Sequence, residues 1–452
     1  MSEHLFELTA VEAADKIAAG DISAEQYTAA CIERYDAAEP KVQAFAHFDR
    51  EHALNQARAL DEYRANGNAL GPLHGVPVGI KDCIDTSDYP TENGSALFAN
   101  RRPYRDATVV AKLRAAGAVI FGKTVTTEFA FYHPGKTRNP HDFERTPGGS
   151  SSGSAAAVAA GMLPLALGTQ TNGSVIRPAA YCGVFGMKPS HGLISRAGIL
   201  SHSRALDHVG GFARSLGDLA LLLDVIAGHD EADPDTKPYA LPNFTAGAAE
   251  TPPVTPRIAY VRTPAWDRAD ATTAQAFEQL VESLGETVQR VELHAPVYGP
   301  AWDDLRAIMS VDMAHHHSKI VRRGGETASK TLRDFLAEGR RVSAVRYLEA
   351  LSQSRQYTAG LSDFFEYYDA VLTPSAAGVA PKGLENTGDP AFCSLWTLTG
   401  LPAISLPLLE GEGGLPLGVQ LVGPAGRDGR LLRTARWLLA RLSEDQEAEI
   451  AS

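Results

Sequence analysis

Two serines 24 positions apart, Ser150 and Ser174, stand in a run of glycine and other small residues between Pro147 and Pro189, and a lysine, Lys81, closes the apolar run VPVGIK upstream. A serine hydroxyl is a poor nucleophile at neutral pH and needs a base within hydrogen-bond reach. These three residues supply a hydroxyl nucleophile, a hydroxyl relay and an amine base. Around the second serine, Thr171-Asn172-Gly173-Ser174 is small enough for successive backbone N–H groups to converge on one oxygen. Donors of that kind are worth roughly 2.7 to 4 kcal/mol each to a developing oxyanion. The chemistry indicated is acyl transfer.

The elements that must position these groups read as α/β. VPVGIK and AVIFGK are short apolar runs of the buried-strand type, separated by the helical TVVAKLRAAG, and that alternation predicts an α/β sheet. SAAAVAAG reads as a small-residue helix packed close to the sheet, and LPLALGT as a strand that runs directly into Gln170 to Ser174. Groups at strand ends that meet helix starts are what an open α/β sheet offers to a ligand. From Thr9 to about Asn66 the pattern is helical, with capping-box residues at Thr9 and Ser23 and a stop at Pro40. Gly228 to Pro256 reads as a long loop, about 294–360 as a helical, cap-like excursion, and AVLTP, AISLPLL and LGVQLVG as a return to strands before the amphipathic RLLRTARWLLARL. The organisation expected is one domain over 1–452. Outer helices occupy 1–70, the reactive core 71–227, a variable loop and excursion 228–360, and the return to the sheet 361–452.

Composition narrows the class. A formal charge of −12, with Lys and Arg scattered, disfavours direct contact with nucleic acid, which normally needs a basic face. Cys31, Cys83, Cys182 and Cys393 have no tight spacing and read as free thiols of a reducing cytoplasm. MSEHLFELTA carries neither the basic nor the apolar region of an export signal, and the longest apolar stretch, Ala155 to Leu167, is too short to span a bilayer. The expectation is a cytoplasmic chain with no membrane contact.

The motifs then become specific. GGSSSGSAAAVAAG (148–161) and GTQTNGS (168–174) resemble the signature of the amidase signature family, hydrolases of the Ser-cisSer-Lys type. The resemblance extends to GPLHGVPVGIKD (71–82), DATVVAKLRAAGAVIFGKTVTTEFA (106–130), DAVLTPS (369–375), and TGLPAISLPL with LPLGVQLVGP (399–424). It implies a large mixed, twisted sheet covered by helices on both faces. It also implies Ser174 as the nucleophile, Ser150 as a relay preceded by a cis peptide, and Lys81 as the base. Lysine accepts a proton only when neutral, so its pKa must fall from about 10.4 to ~7 to 8, at roughly 3 to 5 kcal/mol, which burial can supply. Thr171, Asn172, Gly173 and Ser174 would form the oxyanion loop, with Ser151 and Thr169 as supporting hydroxyls. One departure stands out. The commoner family pattern has Asp at Gln170, Gly at Asn172 and Arg at Ile176, with Arg177 here one place later, so an interior Asp–Arg pair is not expected and Arg177 must pair elsewhere or reach solvent.

Rival readings meet physical objections. Gly149-Ser150-Ser151-Ser152-Gly153 satisfies G-x-S-x-G, but that elbow needs a strand before it, and TRNPHDFERTPG has no strand pattern. The same glycines have phosphate-loop spacing with Ser154 where Lys is required. Cys83 beside Lys81 could be a thiol nucleophile, yet its neighbours suit a packing residue. His315-His316-His317 lacks the i, i+4 spacing of helical metal ligands. The resulting expectation is an amidase that hydrolyses small amides, and also carbamates (urethanes) and aryl esters, through an acyl-enzyme on Ser174. It would use no metal and no organic cofactor, and act as a monomer or homodimer on a small molecule without nucleic acid. Phe131 to Arg145, 294–345 and Ser375 to Trp396 would line its pocket, with Tyr132, Phe392 and Trp396 favouring an apolar or aromatic group. The alternative is the amidotransferase subunit of a tRNA-dependent complex, which needs a partner chain and passes ammonia onward; a catalytically silent scaffold is disfavoured by the filled triad.

Overall fold

A computed structural model describes residues 4–451, with side chains to 443. The described residues place eleven strands in one mixed sheet. In chain order these are β1 (Phe45–Phe48), β2 (Pro77–Lys81), β3 (Val119–Thr124), β4 (Leu165–Gln170), β5 (Phe185–Lys188), β6 (His208–Ala213), β7 (Ile258–Arg262), β8 (Val288–Glu292), β9 (Ala370–Pro374), β10 (Ala403–Glu410) and β11 (Pro416–Val422). Their spatial order is β1-β3-β2-β4-β6-β5-β10-β11-β9-β7-β8. β2 runs parallel to both β3 and β4, and β7 to both β8 and β9; the remaining pairings are antiparallel.

Both faces are covered, as the alternation of β4 illustrates. Leu165 and Leu167 join Leu219 and Leu222 of the helix Leu216–Ile226 in one apolar cluster, whereas Ala166 joins Ala155 and Ala156 of the helix Ser152–Ala159 in another. The second helix approaches the sheet closely because its residues are small. A Cβ on Gly153 would lie 2.2 Å from the Ala44 carbonyl oxygen and 2.3 Å from Val125 N. The excursion folds as helices Ala301–Gly324, Lys330–Gly339 and Ala344–Phe364, and it docks on the body through Phe335 against Phe131, with ring centroids 4.6 Å apart, and through Trp302 Nε1 donating to Ala391 O.

Several expectations are corrected. The helical stretch 9–66 is interrupted by β1, whose four residues pair antiparallel with β3 and are stabilised by that edge rather than by their own pattern. Pro40 does not end its helix, which runs Ala24–Val42 with the proline in the last turn. The loop 228–256 contains a short helix, Phe244–Ala249, capped by the Asn243 side chain. No helix among the described residues is long and apolar enough to cross a membrane.

Candidate active site

Parallel pairing of β2 with β4, with Ile80 opposite Leu167, brings the carboxyl ends of the two strands to one edge of the sheet. Lys81 ends β2 there, fully buried, and its Nζ donates to Ser150 Oγ at 2.8 Å and to Thr169 Oγ1 at 2.8 Å. Its chain neighbour Asp82 faces the buried Lys123 instead, 3.4 Å away. Buried without a close counter-ion, Lys81 is pushed down from the usual lysine range to about 8. The Gly149–Ser150 peptide is cis. Ser151 does not cap its helix; its Oγ donates to Thr169 O at 3.2 Å and accepts from Thr169 N at 3.3 Å, tying the serine loop to the end of β4.

Ser174 is partly exposed and lies just before the helix Ile176–Cys182. Among the described residues no hydrogen bond joins it to Ser150, and none runs from the backbone N–H of Asn172, Gly173 or Ser174 to another protein group. These donors are unspent beside the serine. Gln170 shapes the turn. Its Oε1 accepts from the N–H of Val175 and Ile176 at 2.8 and 3.0 Å, while its Nε2 donates to Thr397 Oγ1 at 2.9 Å. The neutral amide thereby caps the helix that follows Ser174. Asn172 is held by Ser394 Oγ, which donates to its Oδ1 at 2.8 Å, and its Nδ2 reaches Tyr132 Oη at 3.5 Å. Arg177 reaches neither solvent nor a carboxylate. It is 1% exposed, and its Nη2 donates to Gly149 O at 2.7 Å and Thr387 Oγ1 at 3.1 Å.

A cavity of about 290 Å³ opens beside these groups, with Thr169, Thr171, His202, Asp207 and His316 in its wall. The sequence reading missed this wall. Asp207 accepts from Thr171 Oγ1 at 2.7 Å and from the N–H of His202 and Ser203 at 2.8 and 3.0 Å, and burial pushes its carboxyl up. Burial likewise lowers His202 to about 4, so it is neutral at pH 7. The wall belongs to a loop without periodicity; an acid between two histidines in SHSRALDH was its faint signal. Tyr132 reaches the site through Asn172, but Phe392 and Trp396 are each 1% exposed and lie in the core, because the helix Ala391–Leu398 turns them inward. Of the other segments expected to line the pocket, only His316 of the 294–345 excursion does so; Ala130, just before Phe131, is a neighbour. The three consecutive histidines point apart: His315 is exposed, His316 meets the cavity, and His317 is buried against His202, with ring centroids 5.2 Å apart. A larger groove of about 980 Å³, walled mainly by 239–256 and 426–434, includes none of Lys81, Ser150 and Ser174. No group of three or more His, Cys, Asp or Glu placed to hold a metal occurs among the described residues.

Comparison with known proteins adds the family and the names of several relatives. Residues 26–432 match the family model described as Amidase. One subunit of glutamyl-tRNA(Gln) amidotransferase, from Chloroflexus aggregans, is 37% identical over 94% of this chain and 94% of its own length. The protein of the same name from Carboxydothermus hydrogenoformans is also 37% identical, over 95% of this chain and 96% of its own. A solved chain from a vestigial complex tied to the origins of an s-triazine catabolic enzyme superimposes with a TM-score of 0.89 at 29% identity, over 96% of this chain and 98% of that one. The relatives overturn the expectation of a hydrolase of small amides and carbamates that works as a monomer or homodimer on a small molecule alone. The formal charge of −12 bears only on direct nucleic-acid contact by this chain, not on membership of a complex that includes other subunits.

Proposed function

This chain belongs to the amidase family, and from that premise we propose that it is the amide-cleaving subunit of an amidotransferase that works on a tRNA-linked acyl acceptor in the cytoplasm. The donor is a primary carboxamide of the glutamine class, and ammonia is passed to a partner chain. What supports the reading is likeness to a glutamyl-tRNA(Gln) amidotransferase protein over 94% of both chains, in a chain that sets a buried Lys81 at 2.8 Å from Ser150. A partner that carries the RNA contact accommodates the charge of −12.

In the proposed reaction neutral Lys81 takes the Ser150 proton as Ser150 takes that of Ser174, and Ser174 Oγ adds to the carbonyl carbon. The N–H groups of the 171–174 turn receive the oxyanion. As the C–N bond breaks, the proton returns through Ser150 to the leaving nitrogen, which departs as ammonia. Water then hydrolyses the acyl ester to the carboxylic acid and restores Ser174. Thr169 and Ser151 hold Lys81 and the serine loop in register.

The test is to recover the tagged chain from its own host and identify what elutes with it. Glutamine is then assayed for release of glutamate and ammonia, with and without ATP and glutamyl-tRNA. A co-eluting partner, with ammonia release that is stimulated by the acceptor and lost in Ser174→Ala, is expected. A chain that elutes alone and cleaves simple amides at full rate, indifferent to any acceptor, would overturn the proposal.

A further inference from the structure

Arg177 is a buried cation, and no carboxylate lies within ion-pair reach of it among the described residues. Its Nε and Nη1 have no protein partner, so both of its side-chain hydrogen bonds are through Nη2. Taking a guanidinium out of water is costly, and no ion pair offsets that cost here. The shorter of its two contacts, 2.7 Å, is to the carbonyl of Gly149, the peptide group that carries Ser150. Gly149 has no side chain to anchor it and no room for one, since a Cβ there would lie 2.8 Å from Thr387 Cγ2. On its other side Ser150 meets Lys81 at 2.8 Å. Ser150 is therefore held through the carbonyl before it and through its own hydroxyl. Arg177 also lies in the first turn of the helix Ile176–Cys182, which starts two residues after Ser174, so one helix end bears on both serines.

We propose that Arg177 is a positioning residue that holds the Gly149 carbonyl and thereby keeps Ser150 Oγ in place between Lys81 and Ser174. The inference rests on the relay assigned to Ser150 above. It accounts for the absence of an interior Asp–Arg pair: with Gln170 neutral, the guanidinium is committed to a backbone carbonyl rather than to a carboxylate.

The experiment measures the rate at which a fluorophosphonate labels Ser174 in the full chain, in a cycle of wild type, Ser150→Ala, Arg177→Met and the double variant, with Arg177→Lys alongside. Loss of one charge-assisted hydrogen bond predicts a fall of about ten- to a hundredfold for Arg177→Met and a smaller one for Arg177→Lys. Because Arg177 acts through Ser150, its loss in the Ser150→Ala background should cost less than about twofold, a coupling that a general packing role would not produce. Labelling of a folded Arg177→Met at the wild-type rate, or costs that add in full, would overturn the inference and leave the relay standing. Labelling of Ser150→Ala at the wild-type rate would overturn the relay and this inference with it. If Arg177→Met does not fold, the same cycle is run with Arg177→Lys.

Discussion

Gln170 and Thr397, 227 positions apart, are joined by a 2.9 Å hydrogen bond in which the side-chain amide donates to the threonine hydroxyl. That hydroxyl in turn donates to the Asn172 carbonyl at 2.5 Å, so a chain of two bonds ties the turn before Ser174 to the helix Ala391–Leu398. The relationship depends on an amide. A carboxylate could still accept from Val175 and Ile176, but it has no proton to give, and the single proton of Thr397 is already committed to Asn172.

Gln170→Glu should therefore set two acceptors against one another in a buried site. The expected result is a loss of about 1 to 3 kcal/mol in stability, the cost of an unsatisfied buried group, together with slower labelling of Ser174. Thermal unfolding and fluorophosphonate kinetics check both. An unchanged melting temperature with unchanged labelling would show that the donor half of the amide is dispensable.

Lys81 links rate to pH and to stability. With the folded group lowered to about 8, labelling of Ser174 should rise with pH through a midpoint near 8 as the amine loses its proton. The unfolded lysine titrates near 10.4, so between these values the unfolded chain binds more protons and stability rises with pH. Below about 8 the penalty is present in full, roughly 3 kcal/mol for the shift. Lys81→Met should abolish turnover and yet raise the melting temperature at pH 7. A drop in melting temperature there would show that the hydrogen bonds of Lys81 outweigh the cost of burying its charge.

The strands that carry the site were legible because VPVGIK and LPLALGT are buried on both faces and read as unbroken apolar runs. Others were not. β1 is four residues between helices; HVGGFA in β6 has two glycines at its centre; and VQRVE in β8 is mostly exposed at the sheet edge. In the site, the residues on strand ends and glycine-rich turns showed in the chain, whereas the partners of Gln170 and Thr171 lie at Thr397 and Asp207 and exist only through tertiary contact. The same limit explains why relatives, and no motif, overturned the expectation of a lone small-amide hydrolase. A nucleophile motif encodes bond cleavage, while assembly with other chains is encoded in surface shape that has no local spacing.

All four cysteines are buried, and burial raises each thiol above its usual range. Cys83 in particular contacts Thr169 Oγ1 at 3.6 Å and is 1% exposed, which suits packing rather than attack. The native chain should show almost no reaction with a thiol reagent such as dithiobisnitrobenzoate at pH 8 and four equivalents after denaturation, with activity intact after iodoacetamide. Inactivation that tracked alkylation of Cys83 would contradict this.

Asp207 offers the most direct test of the cavity wall. Its carboxylate accepts three hydrogen bonds, from Thr171 Oγ1 and from the N–H of His202 and Ser203, and its negative charge favours the protonated form of Lys81. Asp207→Asn retains the shape but loses the charge, and it turns an amide N–H₂ towards either the Thr171 hydroxyl or two backbone donors. Two effects should follow. Without the opposing charge, Lys81 should lose its proton more readily, moving the midpoint of the labelling rate below about 8. The Thr171 hydroxyl can accept from the amide but then loses the acceptor of its own proton, which should lower stability by about 1 kcal/mol. The two effects separate on measurement, because mispacking alone would lower the plateau rate and the melting temperature without moving the midpoint. A midpoint that stayed in place or rose would show that Asp207 acts on Thr171 through hydrogen bonding and has no hold on the charge of Lys81.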